Sequence, residues 1–279
     1  MPELPEVETV RRNLDRLLVG ATIVDVRFGD FTGSIANPAP QIFADEVRGR
    51  RFTRTGRRGK YLLLQLDSGN VIAIHLRMTG DLHIAGADEP WGKHLHLALR
   101  LDDGRELRFA DVRKFGRIWL FTPPELEDLN ERIGPEPLDP EFTVEQFHER
   151  LRTRSRAIKA LLLEQSFLAG VGNIYADEAL FAAKIHPLRA ASSLTPDEAD
   201  LLLVAIRTAF QRAIERGGTT IRNYRNVLGE AGGNQYFLQI YTLAEGDPCP
   251  RCGTPISRIV VAQRGTRFCA TCQPLEAQA

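Results

Sequence analysis

The sequence predicts a multidomain α+β protein: an N-terminal β-sandwich behind an N-terminal helix, a helical domain, and a C-terminal hairpin that carries four cysteines. Three observations support this class. Short runs rich in Val, Ile and Leu fill the first 122 residues, helical periodicity takes over after residue 140, and all four cysteines lie near the end. A chain of 279 residues also exceeds the usual size of one domain.

The composition is that of a globular protein, with 43% hydrophobic and 26% charged residues. The chain has no apolar stretch of about 18 residues, which a membrane span requires. Its N-terminus lacks a basic segment followed by an apolar run, so no signal peptide is indicated. We therefore expect no membrane association and a cytoplasmic location.

The net charge is zero, with 36 basic and 36 acidic residues, which by itself argues against a nucleic-acid partner. The charges are segregated, however. Residues 48–60 contain seven basic and no acidic side chains, and residues 125–149 contain nine acidic side chains against one arginine. Further basic clusters lie at 150–159 and 248–274. This segregation favours one anion-binding side, although a solvated surface explains most single charge runs.

Residues 5–18 are predicted to form an amphipathic helix. Pro5 suits the first turn, and Glu6 and Glu8 suit the positive end of the helix dipole. After Gly20 the pattern changes to strands: TIVDVRF, KYLLLQL, NVIAIHLRM, HLHLALRL, ELRFADV and GRIWLF. Several strands at this spacing indicate a β-sandwich or barrel. The first domain is therefore predicted to cover residues 1–122.

Residues 123–140 are acidic and contain prolines, so we interpret them as a linker with some helix. Residues 141–243 have helical periodicity, and Thr195 and Glu198 form a capping box at the start of the longest helix. The glycine- and asparagine-rich run 217–235 is interpreted as a mobile loop. Residues 244–279 form the last predicted domain.

The four cysteines are Cys249, Cys252, Cys269 and Cys272. They form two C-x-x-C knuckles separated by sixteen residues, a spacing that predicts a tetrahedral zinc site. A pair of disulfides or a redox-active C-x-x-C is the alternative. A reducing compartment and the absence of a thioredoxin-like βαβ pattern disfavour it.

The residues between the knuckles are predicted to form a hairpin with Arg264 and Gly265 near its turn. Because such a short segment has no hydrophobic core of its own, the metal supplies the folding free energy. Arg264 taken alone is most simply a solvated turn residue. A hairpin held by metal nevertheless implies that its tip has a fixed task.

Pro2 follows the initiator methionine directly, and Glu3 follows Pro2. Methionine is normally removed before so small a residue, which would leave a secondary amine beside a carboxylate. Without other motifs, a frayed terminus would be the better interpretation of this pair.

Several motifs together carry a resemblance: PELPEVETVRR, RRGKYLL, HLRMTGDL, DVRKFGR, AGVGNIYADEALFAAKIHP, GGTT and the four-cysteine finger. In this order, from Pro2 to Gln273, the chain resembles the bacterial formamidopyrimidine-DNA glycosylases, whose helical domain is a helix–two-turn–helix DNA-binding domain. The related endonuclease VIII branch typically begins PEGPE, so PELPE favours the branch that acts on oxidised purines.

The resemblance implies four catalytic residues. Pro2 would attack C1′ of the damaged nucleotide, Glu3 would act as acid and base, and Lys60 would contact phosphate or donate a proton. Arg264 would grip the flanking phosphates and assist elimination. Lys60 considered alone is one more charge in a basic loop before a strand.

The resemblance also implies DNA-binding residues. His94, Arg113 and Asn173 match backbone-binding positions, and Asn173 could also cap the helix that follows it. Met78, Arg113 and Phe115 match the residues that fill the gap left by a flipped nucleotide. Met78 without the family would be interpreted as a core residue. We carry over no lesion contacts for the loop 217–235, because NVLGEAGGNQ departs from known relatives.

The implied function is a bifunctional DNA glycosylase and AP lyase of base excision repair. It would excise 8-oxoguanine and formamidopyrimidines from double-stranded DNA and cleave the abasic site by β,δ-elimination, as a monomer associated with the bacterial nucleoid. One structural Zn2+ is expected, and no redox cofactor. The alternatives are a glycosylase for oxidised pyrimidines and a non-catalytic damaged-DNA binding protein.

Overall fold

The computed structural model describes residues 1–275, so the last four residues of the predicted domain 244–279 lie outside the described residues. Two compact units are present. The sandwich unit comprises Met1–Arg132 and Arg216–Gly233, and the helix–finger unit comprises Ile133–Glu215 and the residues from Asn234 onward. Since a compact unit is not by itself a folding domain, the boundaries predicted from the sequence stay a prediction.

The sandwich unit contains three helices and nine strands. The helices are α1 (Leu4–Leu18), α2 (Pro40–Val47) and α3 (Pro123–Arg132). The strands are β1 (Ile23–Phe28), β2 (Ile35–Asn37), β3 (Phe52–Arg58), β4 (Tyr61–Leu66), β5 (Val71–His75), β6 (Gly80–Gly86), β7 (Leu95–Leu101), β8 (Arg105–Asp111) and β9 (Arg117–Phe121). They form a four-stranded sheet β1-β7-β8-β6 and a five-stranded sheet β2-β9-β5-β4-β3.

One hydrophobic core joins the two sheets with α1 and α2. Leu62 and Leu64 of β4 lie in this core together with Phe109 of β8 and Leu14 of α1. Leu63 points the opposite way, into a second cluster that includes Leu126 of α3. This alternation follows from the two-residue period of a strand. Both faces of the five-stranded sheet are therefore covered, and the predicted β-sandwich is confirmed.

Up to residue 275, the helix–finger unit contains four α-helices and one hairpin. They are α4 (Val144–Arg152), α5 (Ile158–Leu162), α6 (Asn173–Ala182), α7 (Pro196–Glu215), β10 (Ser257–Val261) and β11 (Arg264–Phe268). At the start of α7 the Glu198 N–H donates to Thr195 Oγ1 at 3.2 Å, and the Thr195 N–H donates to Glu198 Oε2 at 2.9 Å. The predicted capping box is thus present.

Most regular elements lie where the hydrophobic pattern predicts them. Helix α1 begins at Leu4 rather than Pro5. Strands β2, β3 and β6 and helix α2 were not predicted, because β3 is the basic run 52–58 and the others are short or weakly patterned. Within residues 1–275, no helix combines the length and apolar character that crossing a membrane requires.

Candidate active site and metal centre

The N-terminal pair Pro2 and Glu3 is fixed rather than frayed. Pro2 is buried, and Glu3, the residue that precedes α1, is 2% exposed. The Glu3 N–H donates to Glu6 Oε2 at 2.8 Å, and the Val7 N–H donates to the Glu3 carbonyl at 3.1 Å. Such hydrogen bonds set the direction in which the chain enters the helix. A proline amine at this place would therefore be held beside the Glu3 backbone.

Met1 still precedes Pro2 in this structure and is 45% exposed. The Pro2 nitrogen is therefore a peptide nitrogen here. It becomes a secondary amine only after Met1 has been removed, and the exposure of Met1 leaves it accessible to a peptidase.

Lys60 lies in the two-residue turn between β3 and β4, where Arg58 pairs with Tyr61. Its partner in the turn, Gly59, has φ +54°, and the Gly59 carbonyl accepts a hydrogen bond from Arg57 Nη1 at 3.0 Å. Lys60 is only 5% exposed. A tight turn fixed by an arginine therefore holds this ammonium group, rather than the loose loop that a run of charges suggests.

His75, at the end of β5, is a neutral neighbour of Lys60. Burial, together with the smaller effects of the Arg77 and Lys60 charges, lowers the pKa of His75 to about 3. The Arg77 N–H donates to His75 Nδ1 at 3.0 Å, so the proton of the neutral ring is on Nε2. Tyr61 packs edge-on against the ring at 4.8 Å. His75 thus offers an uncharged N–H donor close to the lysine.

Met78, Arg113 and Phe115 come together on the surface of the sandwich unit. Arg113 Nη1 lies 3.0 Å from Met78 Sδ, and the guanidinium lies 4.6 Å from the centre of the Phe115 ring. Met78 is 42% and Phe115 is 46% exposed. Met78 is therefore not a core residue. Two apolar side chains with an arginine between them form a projecting wedge.

Asp111 positions the turn that carries two of these residues. Its Oδ1 accepts the Thr79 hydroxyl at 2.5 Å and the Arg113 N–H at 3.1 Å, and its Oδ2 accepts the Gly116 N–H at 2.7 Å. Asp111 is 1% exposed. One buried carboxylate therefore joins the turn after Met78 to the turn that contains Arg113.

His94 lies beside this wedge, at the start of β7. Its carbonyl accepts the Asp111 N–H at 2.9 Å. Its side chain lines a cavity of about 640 Å³ within the sandwich unit, together with Thr79, Arg222 and Asn223. His94 and Arg113 are 19 residues apart in the sequence, and the fold connects both to Asp111. The Asp111 backbone N–H donates to the His94 carbonyl, and the Asp111 carboxylate accepts from the Arg113 N–H.

In the helix–finger unit, Asn173 is the first residue of α6, and Gly172 occupies the N-cap position. The expectation that Asn173 caps this helix is therefore wrong. Its Nδ2 instead donates to the Gly265 carbonyl at 2.9 Å. Its Oδ1 is buried and has no hydrogen-bond partner among residues 1–275. Asn173 thus fixes the backbone directly after Arg264, the exposed first residue of β11.

A buried ion pair holds the same strand. Lys159 Nζ lies 2.6 Å from Asp177 Oδ1, an ion pair without the geometry of a directed hydrogen bond. It also donates to Thr266 Oγ1 at 2.7 Å, and Asp177 Oδ2 accepts the Arg267 N–H at 3.2 Å. Burial raises the pKa of Asp177 to about 6 against the opposing effect of Lys159. Strand β11 is thus attached to α5 and α6 through charges.

The four cysteines converge. Their Sγ atoms all lie within 4.8 Å of one another, with Cys249 to Cys272 at 3.9 Å and Cys252 to Cys269 at 3.5 Å. A tetrahedron with Zn–S bonds of about 2.3 Å has edges of about 3.8 Å, whereas a disulfide requires about 2.05 Å. The donor set therefore fits one Zn2+, and the four thiols are unpaired.

The surroundings act on the thiols in opposite directions. Hydrogen bonding to Thr254 lowers the pKa of Cys252 to about 6, whereas burial raises the pKa of Cys269 and of Cys272. The Cys272 N–H donates to Cys269 Sγ at 3.5 Å. Gln273 exchanges hydrogen bonds with the Cys269 backbone, and its Nε2 donates to the Ile185 carbonyl at 2.9 Å. The metal would thus be tied to the end of α6 through a buried glutamine.

Four residues that the structure brings into these sites were not predicted as site residues from the sequence. His75 is a polar residue at the end of a fully buried strand, and that contrast is the one signal that could have identified it. Asp111 and the pair Lys159–Asp177 become visible only through their partners, which lie 32 and 18 residues away in the chain.

Comparisons with known proteins agree with this geometry. Three family models match: the formamidopyrimidine-DNA glycosylase N-terminal domain over residues 1–118, its H2TH domain over 133–225, and the zinc finger found in FPG and IleRS over 246–275. The three matches follow one another along the chain without overlap.

Full-length relatives agree as well. The formamidopyrimidine-DNA glycosylase of Herpetosiphon aurantiacus is 51% identical over 98% of this chain and 100% of its own length, and that of a Roseiflexus species is 50% identical over the same shares. Lactococcus lactis Fpg bound to DNA with an abasic site has a TM-score of 0.90 at 40% identity, covering 98% of this chain and 99% of its own. MutM bound to DNA with a carbocyclic 8-oxo-G gives 0.90 at 41% identity, covering 98% and 100%. The chain belongs to the formamidopyrimidine-DNA glycosylase family.

Proposed function

We propose that this chain uses Pro2, Glu3, Lys60 and Arg264 to excise oxidised purines from DNA and to cleave the abasic site that remains. The chain is a DNA glycosylase of base excision repair with AP lyase activity, as its family membership establishes. Solved relatives hold DNA with an abasic site, Fapy-dG or 8-oxo-G. The assignment of each step to a residue is the proposal. The observation that carries it is that Pro2 and Glu3 are both buried and that hydrogen bonds fix the Glu3 backbone to helix α1.

Pro2 is the nucleophile in this proposal. An α-amino group has a pKa of about 7.7–8.0, so an appreciable fraction is unprotonated near neutral pH, unlike an ordinary lysine. The amine attacks C1′, the bond from C1′ to the base breaks, and the departing base takes a proton. A secondary amine gives a cationic iminium directly, and this cation accepts the electrons that elimination of the phosphates requires.

Glu3 serves as acid and base for base departure and sugar-ring opening. Hydrogen bonds to Glu6 and Val7 fix its backbone directly before helix α1, next to Pro2. Lys60 provides a fixed positive charge for phosphate or a proton for the sugar. The neutral His75 beside it supports this role, because an uncharged N–H donor does not repel the lysine ammonium.

Asn173, Arg264 and His94 bind the DNA backbone in this proposal. Arg113 matches a backbone-binding position too, but we assign it to the wedge because its guanidinium contacts Met78 and Phe115. The contact from Asn173 Nδ2 to the Gly265 carbonyl links two of these positions within one unit. The four cysteines hold one structural Zn2+, since four thiolates leave no open coordination position for substrate. The metal therefore fixes the backbone from which Arg264 projects.

Met78, Arg113 and Phe115 fill the space that the flipped nucleotide leaves. Chemistry on a base inside a duplex requires extrusion of the nucleotide, and apolar wedges commonly replace the lost stacking. The contacts of Arg113 with Met78 and Phe115 support one joint insertion. We further propose that the protein works as a monomer in the bacterial cytoplasm, at the nucleoid.

Borohydride trapping tests the nucleophile directly. The mature protein, a Pro2→Gly variant and a form with one extra N-terminal residue would each be reduced on a duplex with one 8-oxoguanine opposite cytosine. We expect an enzyme–DNA adduct that mass spectrometry maps to Pro2, and we expect no adduct when the amine is blocked. An adduct at another amine would refute the assignment of Pro2.

The same experiment separates the alternatives. An adduct formed with an oxidised pyrimidine but not with 8-oxoguanine would show that the substrates are those of the endonuclease VIII branch. The proposed role of Pro2 would then still hold. Binding to both lesions without any adduct would favour a damaged-DNA binding protein.

A further inference from the structure

The glycine-rich loop, residues 217–233, is closed at its base by a backbone crossing. Gly218 has φ +88°, and a Cβ on Gly232 would lie 2.2 Å from the Gly218 carbonyl oxygen. The Gly233 N–H donates to the Arg216 carbonyl at 2.8 Å. Because only glycine permits such an approach and such a φ, the two ends of the loop are held together before any ligand binds.

A second anchor ties the loop to helix α1. The Thr219 N–H donates to Glu6 Oε1 at 2.8 Å, and the Tyr224 hydroxyl donates to the Glu6 carbonyl at 3.3 Å. The other oxygen of this carboxylate accepts the Glu3 N–H. Glu6 therefore connects the beginning of the loop to the N-terminal pair.

The third anchor is Val227, which is 1% exposed and belongs to the core of the sandwich. Its carbonyl accepts the Ile84 N–H at 3.4 Å on β6, the edge strand of the four-stranded sheet. Asn226 closes the surrounding turn, since its Oδ1 accepts the N–H groups of Leu228 and Glu230 at 3.0 Å each. The loop thus places one apolar side chain in the hydrophobic core.

These anchors leave a short exposed tip. Ile221, Arg222 and Asn223 are exposed, and the Thr220 hydroxyl closes the tip by donating to the Tyr224 carbonyl at 2.8 Å. Arg222, Asn223 and Arg225 form one wall of the 640 Å³ cavity that Thr79 and His94 line on the other side. The anchored loop therefore leaves a cavity already formed beside the turn that carries Met78.

We propose that Val227 is a positioning residue for base excision. By occupying the core at the edge of β6, it holds residues 219–224 in place before DNA binds, so that only the tip has to adjust to the damaged base. This inference rests on the proposed function and on the resemblance to the glycosylase family, which implies that this loop closes over the flipped base. Ordering the loop in advance lowers the conformational entropy lost on binding. The sequence predicted a mobile loop, whereas the burial of Val227 in the sandwich core indicates that the loop is anchored.

Hydrogen exchange of the DNA-free, zinc-loaded protein tests the anchor. Val227→Ser would be compared with Leu228→Ser, which also replaces an aliphatic side chain by serine but at a neighbouring position that is 57% exposed. We expect the amides of Thr219, Glu230 and Gly232 to exchange at least ~10-fold faster in Val227→Ser than in the unaltered protein. Their exchange rates should be unchanged in Leu228→Ser. If Val227→Ser does not fold, Val227→Thr keeps the side-chain shape and introduces only a buried hydroxyl. Equal exchange in the Val227 and Leu228 variants would overturn the proposal.

A kinetic comparison tests the link to base excision. In single turnovers, Val227→Ser is expected to excise 8-oxoguanine about 10-fold more slowly, while it cleaves a preformed abasic site within about 2-fold of the unaltered rate. Val227→Ile, which retains the apolar anchor, is expected to restore excision. A parallel loss of both activities would overturn the proposal in favour of a purely structural role. If the unaltered protein excised no oxidised purine, the proposed function would fail, and the exchange experiment would still report on the anchor.

Discussion

Two arginines project from turns that are held by different forces. Arg113 follows β8 in the sandwich unit, where a carboxylate orders its turn above a large hydrophobic core. Arg264 begins β11 in a two-stranded hairpin whose neighbourhood is held by four cysteines and by the pair Lys159–Asp177. The turn of the first arginine depends on a hydrogen-bonded carboxylate above an apolar core, and that of the second depends on metal ligation and on paired charges.

The difference follows from the size of each element. A two-stranded hairpin is at best marginally stable alone, so the finger requires a metal, whereas the nine strands of the sandwich unit share a large hydrophobic core and require none. The two positions should therefore respond to different perturbations. Metal removal should disturb Arg264 alone, whereas changes inside the sandwich should disturb Arg113 alone.

Loss of zinc is expected to have the largest effect. Cys269→Ser, or complete removal of zinc by a chelator, should abolish binding to lesion-containing DNA, because the finger unfolds without its metal. The sandwich unit should remain folded. Both tryptophans of the chain, Trp91 and Trp119, lie in that unit, so their fluorescence reports its state while DNA binding is measured in the same sample.

Cys269 is the more informative cysteine to change because it is buried. Restoring zinc to the chelated native protein should restore binding, which provides the matched control. Lesion binding that persists after zinc has been removed completely would contradict the dependence of Arg264 on the metal.

The ion pair in the helix–finger unit gives the next largest effect. Asp177→Ala removes the carboxylate that faces the buried ammonium of Lys159, and breaking a buried ion pair typically costs about 3–5 kcal/mol. We expect a lower melting temperature of this unit and faster release of zinc to a colorimetric chelator. The double variant Lys159→Met with Asp177→Leu removes both charges and should recover much of the loss. A double variant no more stable than Asp177→Ala would show that packing, not charge, attaches the finger.

The sequence predicted these two regions unequally. The finger could be predicted almost completely, because cysteine spacing is a local signal and a tetrahedral site admits few arrangements. Six of the nine sandwich strands could be predicted from their apolar runs, and the approximate range of α1 from its amphipathic pattern. By contrast, β3 contains three arginines and only two buried residues. The apolar pattern that predicts a strand is therefore missing from its sequence. Val227 was not predicted to be buried because it lies in a glycine-rich run whose composition indicates flexibility.

The site residues were predicted by resemblance rather than by physics. Pro2, Glu3 and Lys60 are separated in sequence, and no local pattern explains why such residues should be held rigidly. Asp111 and His75 were missed because their importance comes from hydrogen bonds and burial that exist only in the folded protein. A sequence pattern predicts which side of an element is buried better than it predicts which polar groups are buried with it.

His75 permits a test of the sandwich unit by pH. Its folded pKa of about 3 lies below the unfolded value of 6.5, so between these values the unfolded chain binds a proton that the folded protein excludes. The stabilisation is therefore complete above pH 6.5 and is lost as the pH falls toward 3. At pH 5 the loss is about 2 kcal/mol.

His75→Asn keeps an acceptor for the Arg77 N–H and does not titrate. Chemical unfolding followed by tryptophan fluorescence should show the native protein losing about 2 kcal/mol more than this variant between pH 7.5 and pH 5. Identical pH profiles would mean that the imidazole is accessible to protons in the folded protein. The helix–finger unit, without tryptophan, does not contribute to the signal.

The two arginines should finally differ in how salt affects binding. Affinity should fall steeply with salt overall, because each phosphate contact releases counterions. Arg264→Ala removes a phosphate contact and should reduce the slope of log K against log [salt] by about 1. Arg113→Ala removes a group whose contacts are with Met78 and Phe115 in the wedge, so it should weaken binding to lesion DNA at every salt concentration with little change of slope. Equal changes of slope would place both arginines on phosphates and would remove the functional distinction between the turn after β8 and the tip of the finger.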